Sequence, residues 1–339
     1  MRAGKLPPYL LSDLLDSVEI RDRHVVLGPR VGEDAALIDL GPDYLVAKTD
    51  PITFATDLIG WYLVQINAND LAVMGAKAQW LMATLLLPVG IDQEQVRIIF
   101  DQITAACRDA DITLVGGHTE IVHDLARPIA IGAMLGRVAK EKVVFTSGAK
   151  PGDCIVLTEG IAIEGSAILA REAVSQIQLA GIETGELDTA REFLFKPGIS
   201  VVKAARIAGE TVSVHAMHDP TEGGLATGLL ELARAANVGI VVDAQSIPVL
   251  PQCRSICRAL GLNPLGLIAS GALLLTLAPE DVPTLQKALA SEGIAAHVIG
   301  HTTAPATGLK LKTVDGLGDL PTFDRDELAR FFSAADGAN

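Results

Sequence analysis

Val115-Gly116-Gly117-His118-Thr119-Glu120 is the stretch on which the reading turns. A glycine pair behind an apolar run lets backbone N–H groups come close to a phosphate. The next three residues add an imidazole, a hydroxyl and a carboxylate. A glycine pair alone is ordinary and marks no more than a tight turn. Three upstream stretches give it weight: Gly32-Glu33-Asp34-Ala35-Ala36, Lys48-Thr49-Asp50-Pro51 and Asn67-Ala68-Asn69-Asp70. Each carries an aspartate, and carboxylates from separate elements can hold Mg²⁺ when phosphate oxygens fill its remaining positions.

Around these stretches the pattern alternates strands and helices. Ala35 to Leu40 and Tyr44 to Lys48 read as strands joined by the Gly41-Pro42-Asp43 turn, with Asp34 and Asp50 just beyond their ends. Asp57 to Gly75 reads as a helix, since Leu63, Ile66, Asn67, Asp70, Leu71 and Met74 recur at spacings of three and four. That spacing sets Asn67 and Asp70 in an apolar stripe. A buried, unpaired carboxylate is costly, so Asp70 is expected at a wet cleft or on a metal. Trp80 to Leu87 and Pro128 to Val138 read as strands, and Asp92 to Asp109 as a helix. Thr113 to Val115 is a short strand leading into the glycine pair, while Pro7 to Asp16 is a short helix with proline at its start and Val25 to Gly32 a polar approach segment.

The turn Lys150-Pro151-Gly152-Asp153 marks a boundary. Beyond it lie a strand at Cys154 to Thr158, a helix near Gly165 to Ala173, a polar stretch to Leu187 and a helix after Pro197-Gly198. His215 to Leu225 reads as a loop entering the helix Leu225 to Ala236. Strands at Gly239 to Asp243, Leu273 to Leu277 and Ala295 to Ile299 complete a small sheet. In Asp219-Pro220-Thr221-Glu222-Gly223-Gly224, Thr221 is placed to cap the following helix, with acidic neighbours at its positive end.

Composition narrows the class. The 339 residues exceed one usual core, so two domains are expected, at 1–149 and 150–339. Apolar residues make up 49% and aromatic ones 4%, as in an α/β or α+β protein. The net charge of −14 argues against nonspecific nucleic-acid binding, which needs basic surface. No apolar stretch is long enough for a membrane span, and Met1 to Leu6 leads into prolines and acidic residues rather than an export signal, so the cytoplasm is the expected location. Cys253 and Cys257 share a helical face without a second Cys/His pair to complete a zinc site; buried thiols are the simpler reading.

The residues assign themselves as follows. Asp34, Asp50, Asp70 and Asp219 are the candidate metal ligands. Gly32, Asp34, Lys48, Asn67, Gly116, Gly117 and Thr119 are the candidate cofactor contacts. His118 and Glu120 are the candidate acid–base residues; Glu120 could instead be a ligand, and His118 a substrate contact or a structural hydrogen bond. Taken singly, Asp34 and Asp50 are better explained as turn or capping residues; their joint occurrence with Asp70 on an apolar face reverses that. No phosphate loop with its lysine, kinase glycine-rich set or nucleophile elbow occurs.

Over nearly its whole length the chain resembles the aminoimidazole ribonucleotide (AIR) synthetase superfamily. Gly32 to Ala36, Thr49-Asp50, Asn69 to Ala76, Gly116 to Thr119 and Asp219 to Gly224 occur in that family's order. Asn69 to Ala76 and Asp219 to Gly224 look most like the hydrogenase-maturation dehydratase branch, and Ile59-Gly60-Trp61 is similar to thiamine monophosphate kinase. The resemblance implies a two-domain fold: an α/β N-terminal domain whose sheet pairs across a homodimer, and an α+β C-terminal domain. It also implies ATP and Mg²⁺ on Asp34, Asp50, Asp70 and Asp219, with the N-terminal segment folding over the phosphates.

Two departures stand out. The dehydratase branch reacts on a C-terminal cysteine, whereas no cysteine follows Cys257. It also carries Asn-Glu-Gly where this chain has Ala269-Ser270-Gly271. Thiocyanate formation on its own tail is therefore not expected. What remains is an ATP- and Mg²⁺-dependent transfer of phosphate to an oxygen of a small substrate. A noncatalytic nucleotide-binding accessory and a thiamine monophosphate kinase-like enzyme are the alternatives.

Overall fold

The structure, a computed structural model, describes residues 5–6, 8–53 and 57–336. They form two compact units. One comprises Ile20–Pro29 and Asp34–Val143; the other comprises the described residues up to Glu19, Arg30–Glu33 and the described residues from Val144 onward. The first unit ends at Val143, and two N-terminal segments belong to the second unit.

In the first unit β1 (Val25–Leu27), β2 (Ala36–Asp39), β3 (Asp43–Ile52), β4 (Lys77–Pro88), β5 (Thr113–Val122) and β6 (Ile129–Ala139) make one sheet in the order β1-β2-β3-β6-β4-β5. All pairs are antiparallel except β4 with β5. Strand alternation sets Leu81, Ala83, Leu85 and Leu87 of β4 in the core beside Ala130, Met134 and Val138 of β6. Helix α1 (Pro8–Asp16) belongs to the other unit; Pro7, the expected start of that helix, lies outside the described residues. Helix α2 (Ile59–Val73) covers β3, β4 and β6, and α3 (Gln93–Asp109) packs on α2. Asp92 caps α3 by accepting a hydrogen bond from the Gln95 backbone at 2.7 Å.

The helix over 57–75 and the strand over 128–138 agree with their expected positions to within two residues. Three local expectations are corrected. Asp50 lies inside β3, not beyond its end. Val25–Leu27 is a strand rather than a polar approach segment. The glycine pair is not a loop: β5 runs through it to Val122, because β4 supplies the hydrogen-bonding ladder and a strand needs only backbone groups for that. Gly117, at φ 152°, allows this pairing, since any Cβ there would strike the carbonyl of Ala83.

The second unit carries β7 (Cys154–Thr158), α4 (Ile163–Glu172), α5 (Val174–Leu179), α6 (Thr184–Arg191), α7 (Val202–Thr211), β8 (Val214–His218), α8 (Gly224–Ala236), β9 (Gly239–Asp243), α9 (Pro251–Leu260), β10 (Leu274–Leu277), α10 (Val282–Ser291), β11 (Ala296–Thr303), β12 (Leu309–Thr313), β13 (Gly316–Asp319) and α11 (Glu327–Asp336). Its seven strands run β13-β12-β9-β11-β7-β10-β8. Leu225, Leu229 and Leu232 of α8 pack with Ile155, Leu157, Ile240, Val242 and Leu274 of the sheet. His215 to His218, expected in a loop, form β8 beside β10. The polar stretch before Leu187 holds α5 and the start of α6, short helices in which polar residues break up the apolar period. Among the described residues no helix is long and apolar enough to cross a membrane.

The α2–α3 crossing rests on Gly60. A Cβ on it would come within 2.5 Å of the Ile99 carbonyl oxygen and 2.9 Å of Gln102 Cβ. Backbone cannot yield as a side-chain tip does, so Gly60→Ala is expected to destabilise the protein by about 1–3 kcal/mol in urea unfolding.

Candidate functional site

Helix α2 is buried almost from end to end, including three polar residues: Asn67 and Asn69 at 0% exposure and Asp70 at 4%. Asn67 and Asp70 share a face by their spacing, and what they meet is β3. The Asn67 side chain acts as an extra strand partner for Asp50. Its Oδ1 accepts from the Asp50 amide at 3.1 Å, and its Nδ2 donates to the Asp50 carbonyl at 3.3 Å and to Leu63 O at 2.9 Å. Asn67, expected as a cofactor contact, has its amide engaged with Asp50 and Leu63. That fully buried amide positions a strand that carries a carboxylate.

Asp70 projects toward Lys48, two residues before Asp50 on the same face of β3. Lys48 Nζ lies 3.2 Å from Asp70 Oδ1, whereas Oδ2 is buried without a hydrogen-bond partner. Asp34, 8% exposed ahead of β2, brings a carboxylate oxygen within 4.8 Å of one on Asp70. Burial pushes the Asp70 carboxyl up to about 7; Lys48 opposes this, and Asp50 and Asp34 add to it. Like charges gathered inside a protein are held apart most simply by a cation between them. Hard oxygen donors, one of them orphaned, suit Mg²⁺ better than a softer metal. Asp34 and Lys48 thus come together at Asp70, and Asp50 is near enough for its charge to act on the Asp70 carboxyl.

His118 and Glu120 sit elsewhere. They form an exposed pair on β5, Nε2 to Oε2 3.5 Å, with the side chains 66% and 59% exposed. Gly117, Ala83, Gly132 and Asp50 lie in one line across β5, β4, β6 and β3. Three strand spacings of about 4.8 Å put Gly117 roughly 14 Å from Asp50. Within one copy of the chain, Gly116, Gly117, His118, Thr119 and Glu120 are therefore not beside the carboxylates.

The second unit builds its own polar centre at the end of β8. His218 Nε2 lies 3.1 Å from Glu231 Oε2, and Lys5 Nζ lies 3.5 Å from Glu231 Oε1 and donates to Thr221 Oγ1 at 3.3 Å. Burial works against ionisation of Glu231, yet Lys5 and His218 outweigh it and hold the carboxyl at about 2. Asp219 follows His218 directly and is 2% exposed. Thr221 does not cap α8: the residue before that helix is Gly223 at φ 83°, with no side-chain cap. Asp326 takes up the free amides, accepting from Gly223 at 2.6 Å and Leu328 at 2.7 Å. Gly32 packs on α8, where a Cβ would lie 2.9 Å from the Glu231 carbonyl oxygen. Glu33 accepts from Thr146 N at 3.1 Å and Ser147 N at 3.2 Å.

Sequence reasoning missed Glu33, Lys5 and Glu231. Glu33 was visible only as part of a motif, and the partners of Lys5 and Glu231 are far away in the chain. Cys253 and Cys257 are buried and their thiols pushed up to about 11 and about 12 by burial, so they are inert thiols at neutral pH.

Two mixed α/β units, the first with carboxylates converging on a buried helix face, define the class, and comparison with known proteins supplies the family. The N-terminal domain model of AIR synthase related proteins matches residues 32–138, and the C-terminal domain model matches 150–312. The chain belongs to the AIR synthase related family. It is 29% identical over 331 residues, 95% of each chain, to a putative hydrogenase expression/formation protein of Methanocaldococcus jannaschii. It is 30% identical to the carbamoyl dehydratase HypE of Azotobacter vinelandii, over 80% of this chain and 79% of that one. The solved structure of hydrogenase maturation protein HypE in complex with ATP shares the fold at a TM-score of 0.72 and 24% identity, covering 97% of this chain and 98% of that one.

Two outcomes follow from these contacts. Asn67→Ala strands the Asp50 amide and carbonyl and should cost about 1–3 kcal/mol of unfolding free energy, measured by denaturant titration. Glu231 is depressed from 4.5 to about 2 on folding, so its stabilisation is complete above pH 4.5 and lost as pH falls toward 2. The wild-type melting temperature should drop across that window, and Glu231→Gln should drop less.

Proposed function

We propose that this protein is an ATP- and Mg²⁺-dependent enzyme that transfers phosphate to an oxygen of a small molecule, as product or as activation for a later step. The observation that carries the reading is the buried Asp70 carboxylate, with one oxygen on Lys48, the other orphaned, and Asp34 within 4.8 Å. Purely structural carboxylates in this protein are treated otherwise: Glu33 and Asp326 have both oxygens on backbone amides. Membership of the family, and the ATP bound by the HypE structure of the same fold, favour the nucleotide as the ligand.

In this reading Asp34, Asp50 and Asp70 hold the cation, and Asp219 keeps the role that the resemblance gives it, a ligand from the C-terminal unit. Bound Mg²⁺ supplies charge neutralisation at the transferring phosphoryl group. Lys48 holds Asp70 in place through Oδ1 and brings a positive charge to the phosphate end of the site. Asn67 fixes the strand that carries Lys48 and Asp50. Low exposure at Asp34 and Asp70 keeps water from weakening these charges.

His118 and Glu120 remain the candidate acid–base residues, with Gly116, Gly117 and Thr119 as phosphate contacts, on one condition. Lying three strands from Asp50, they serve the reaction only from a second copy of the chain. Strand β5 is the sheet edge, with Val115 51% and Ile121 54% exposed. An edge with that much apolar surface suits pairing in a homodimer.

The test is ATP turnover. Mg²⁺ with ATP should raise the wild-type melting temperature, and ADP should appear when an acceptor is supplied. Asp70→Asn should lose the Mg²⁺-dependent shift and at least ~100-fold of turnover, the scale of removing a charge-stabilising group. Undiminished turnover in Asp70→Asn sinks the metal assignment. Mg²⁺-dependent binding without turnover on any acceptor would leave the noncatalytic accessory role instead.

A further inference from the structure

The C-terminal unit holds a second buried carboxylate that the proposed reaction does not use. Glu164 lies in the first turn of α4, at 4% exposure, and Ser270 lies in the segment before β10, at 0%. The two meet because the Gly165 amide donates to the Ile268 carbonyl at 3.2 Å, pinning the start of α4 against that segment. The Ala269 amide donates to the Thr221 carbonyl at 3.4 Å, so the pair adjoins the Asp219–Gly224 stretch. Ala162, directly before α4, is left-handed at φ 62°, as is Glu159 at φ 54°. Non-glycine residues pay for that conformation and cluster at functional sites.

Glu164 Oε2 and Ser270 Oγ are both buried without a hydrogen-bond partner. Burial raises the Glu164 carboxyl to about 7; the Ser270 hydroxyl leans toward it and opposes the rise, Asp326 and Glu222 add to it, and the Ser270 amide opposes it. Acceptor oxygens therefore outnumber donors here, and the surrounding charge is negative. A phosphate or carboxylate ligand would be repelled. A neutral N–H group would fill the hydrogen bonds but leave the repulsion among Glu164, Glu222 and Asp326. A protonated amine answers both needs, with several N–H donors and a compact positive charge.

We infer that Glu164 and Ser270 form a binding site for a protonated amine. Glu164 receives the ammonium N–H groups at Oε2, and Ser270 Oγ accepts a further one. Both residues act in recognition and leave the phosphoryl chemistry to the aspartates.

The full chain tests this without nucleotide, by saturation-transfer NMR at pH 8 with methylammonium, tetramethylammonium, acetate and methyl phosphate. Methylammonium should bind. Tetramethylammonium, which has the charge but no N–H, should bind at least tenfold more weakly, and the two anions should not compete. E164Q should weaken methylammonium at least tenfold and S270A several-fold, each with an unchanged circular dichroism spectrum. No methylammonium binding, equal binding by E164Q and wild type, or competition by acetate or methyl phosphate overturns the site. If E164Q does not fold, S270A decides alone: equal binding overturns and weakened binding supports. The same samples are titrated with Mg²⁺ and a nonhydrolysable ATP analogue. E164Q should keep nucleotide binding, and Asp70→Asn should keep methylammonium binding. Loss of one wild-type signal with survival of the other therefore shows which of the two proposals has failed.

Discussion

A carboxylate buried in an otherwise apolar helix face governs the N-terminal unit. Asp70 could be tolerated there as a neutral acid, but Asp34 and Asp50 nearby and Lys48 against one oxygen build a charged site around it. Elements are then recruited to hold that arrangement. Strand β3 presents Lys48 and Asp50 on one face, and Asn67 locks β3 to α2 by treating the Asp50 peptide as a strand partner. Helix α2 is in turn pressed down by α3, at a crossing that only glycine at position 60 permits. The local cost of burying polar groups thus explains a good part of the unit's packing.

The protein uses carboxylates in two distinct ways. Some are saturated by backbone amides: Glu33 on Thr146 and Ser147, Asp326 on Gly223 and Leu328, Asp92 on Gln95. These replace absent capping or turn bonds and stabilise local backbone. Others, Asp70 and Glu164, are buried with an oxygen left over. Buried polar groups are nearly always paired, which sets the second kind apart from the carboxylates that serve the backbone. Glu164 on α4 lies close to Ser270 in the segment before β10.

Several elements were legible because their causes are local. The three-and-four spacing of Leu63, Ile66, Asp70 and Met74 announced α2, and alternation announced β4 and β6. Asp34, Asp50 and Asp70 were legible as a set because aspartates in separate elements, one of them on an apolar face, have few purely structural explanations. The glycine pair misled for a related reason. Gly116 and Gly117 read as a loop by composition, but a neighbouring strand supplies their hydrogen bonds, and no local signal reports a neighbour. Thr221 likewise had the chemistry of a cap, while the left-handed Gly223 ended that possibility.

By itself the sequence determined the alternation of strands and helices, the division into two domains and the residue types able to hold a cation. Periodicity and side-chain chemistry are properties of the chain alone. Tertiary structure decided which residues meet: that Asn67 binds the Asp50 peptide, that His118 and Glu120 lie on a sheet edge three strands from it, that Lys5 pairs with Glu231, and that Glu164 comes to lie near Ser270. Such contacts join residues separated by up to hundreds of positions, and their energy comes from burial and charge, which exist only once the chain has closed around them.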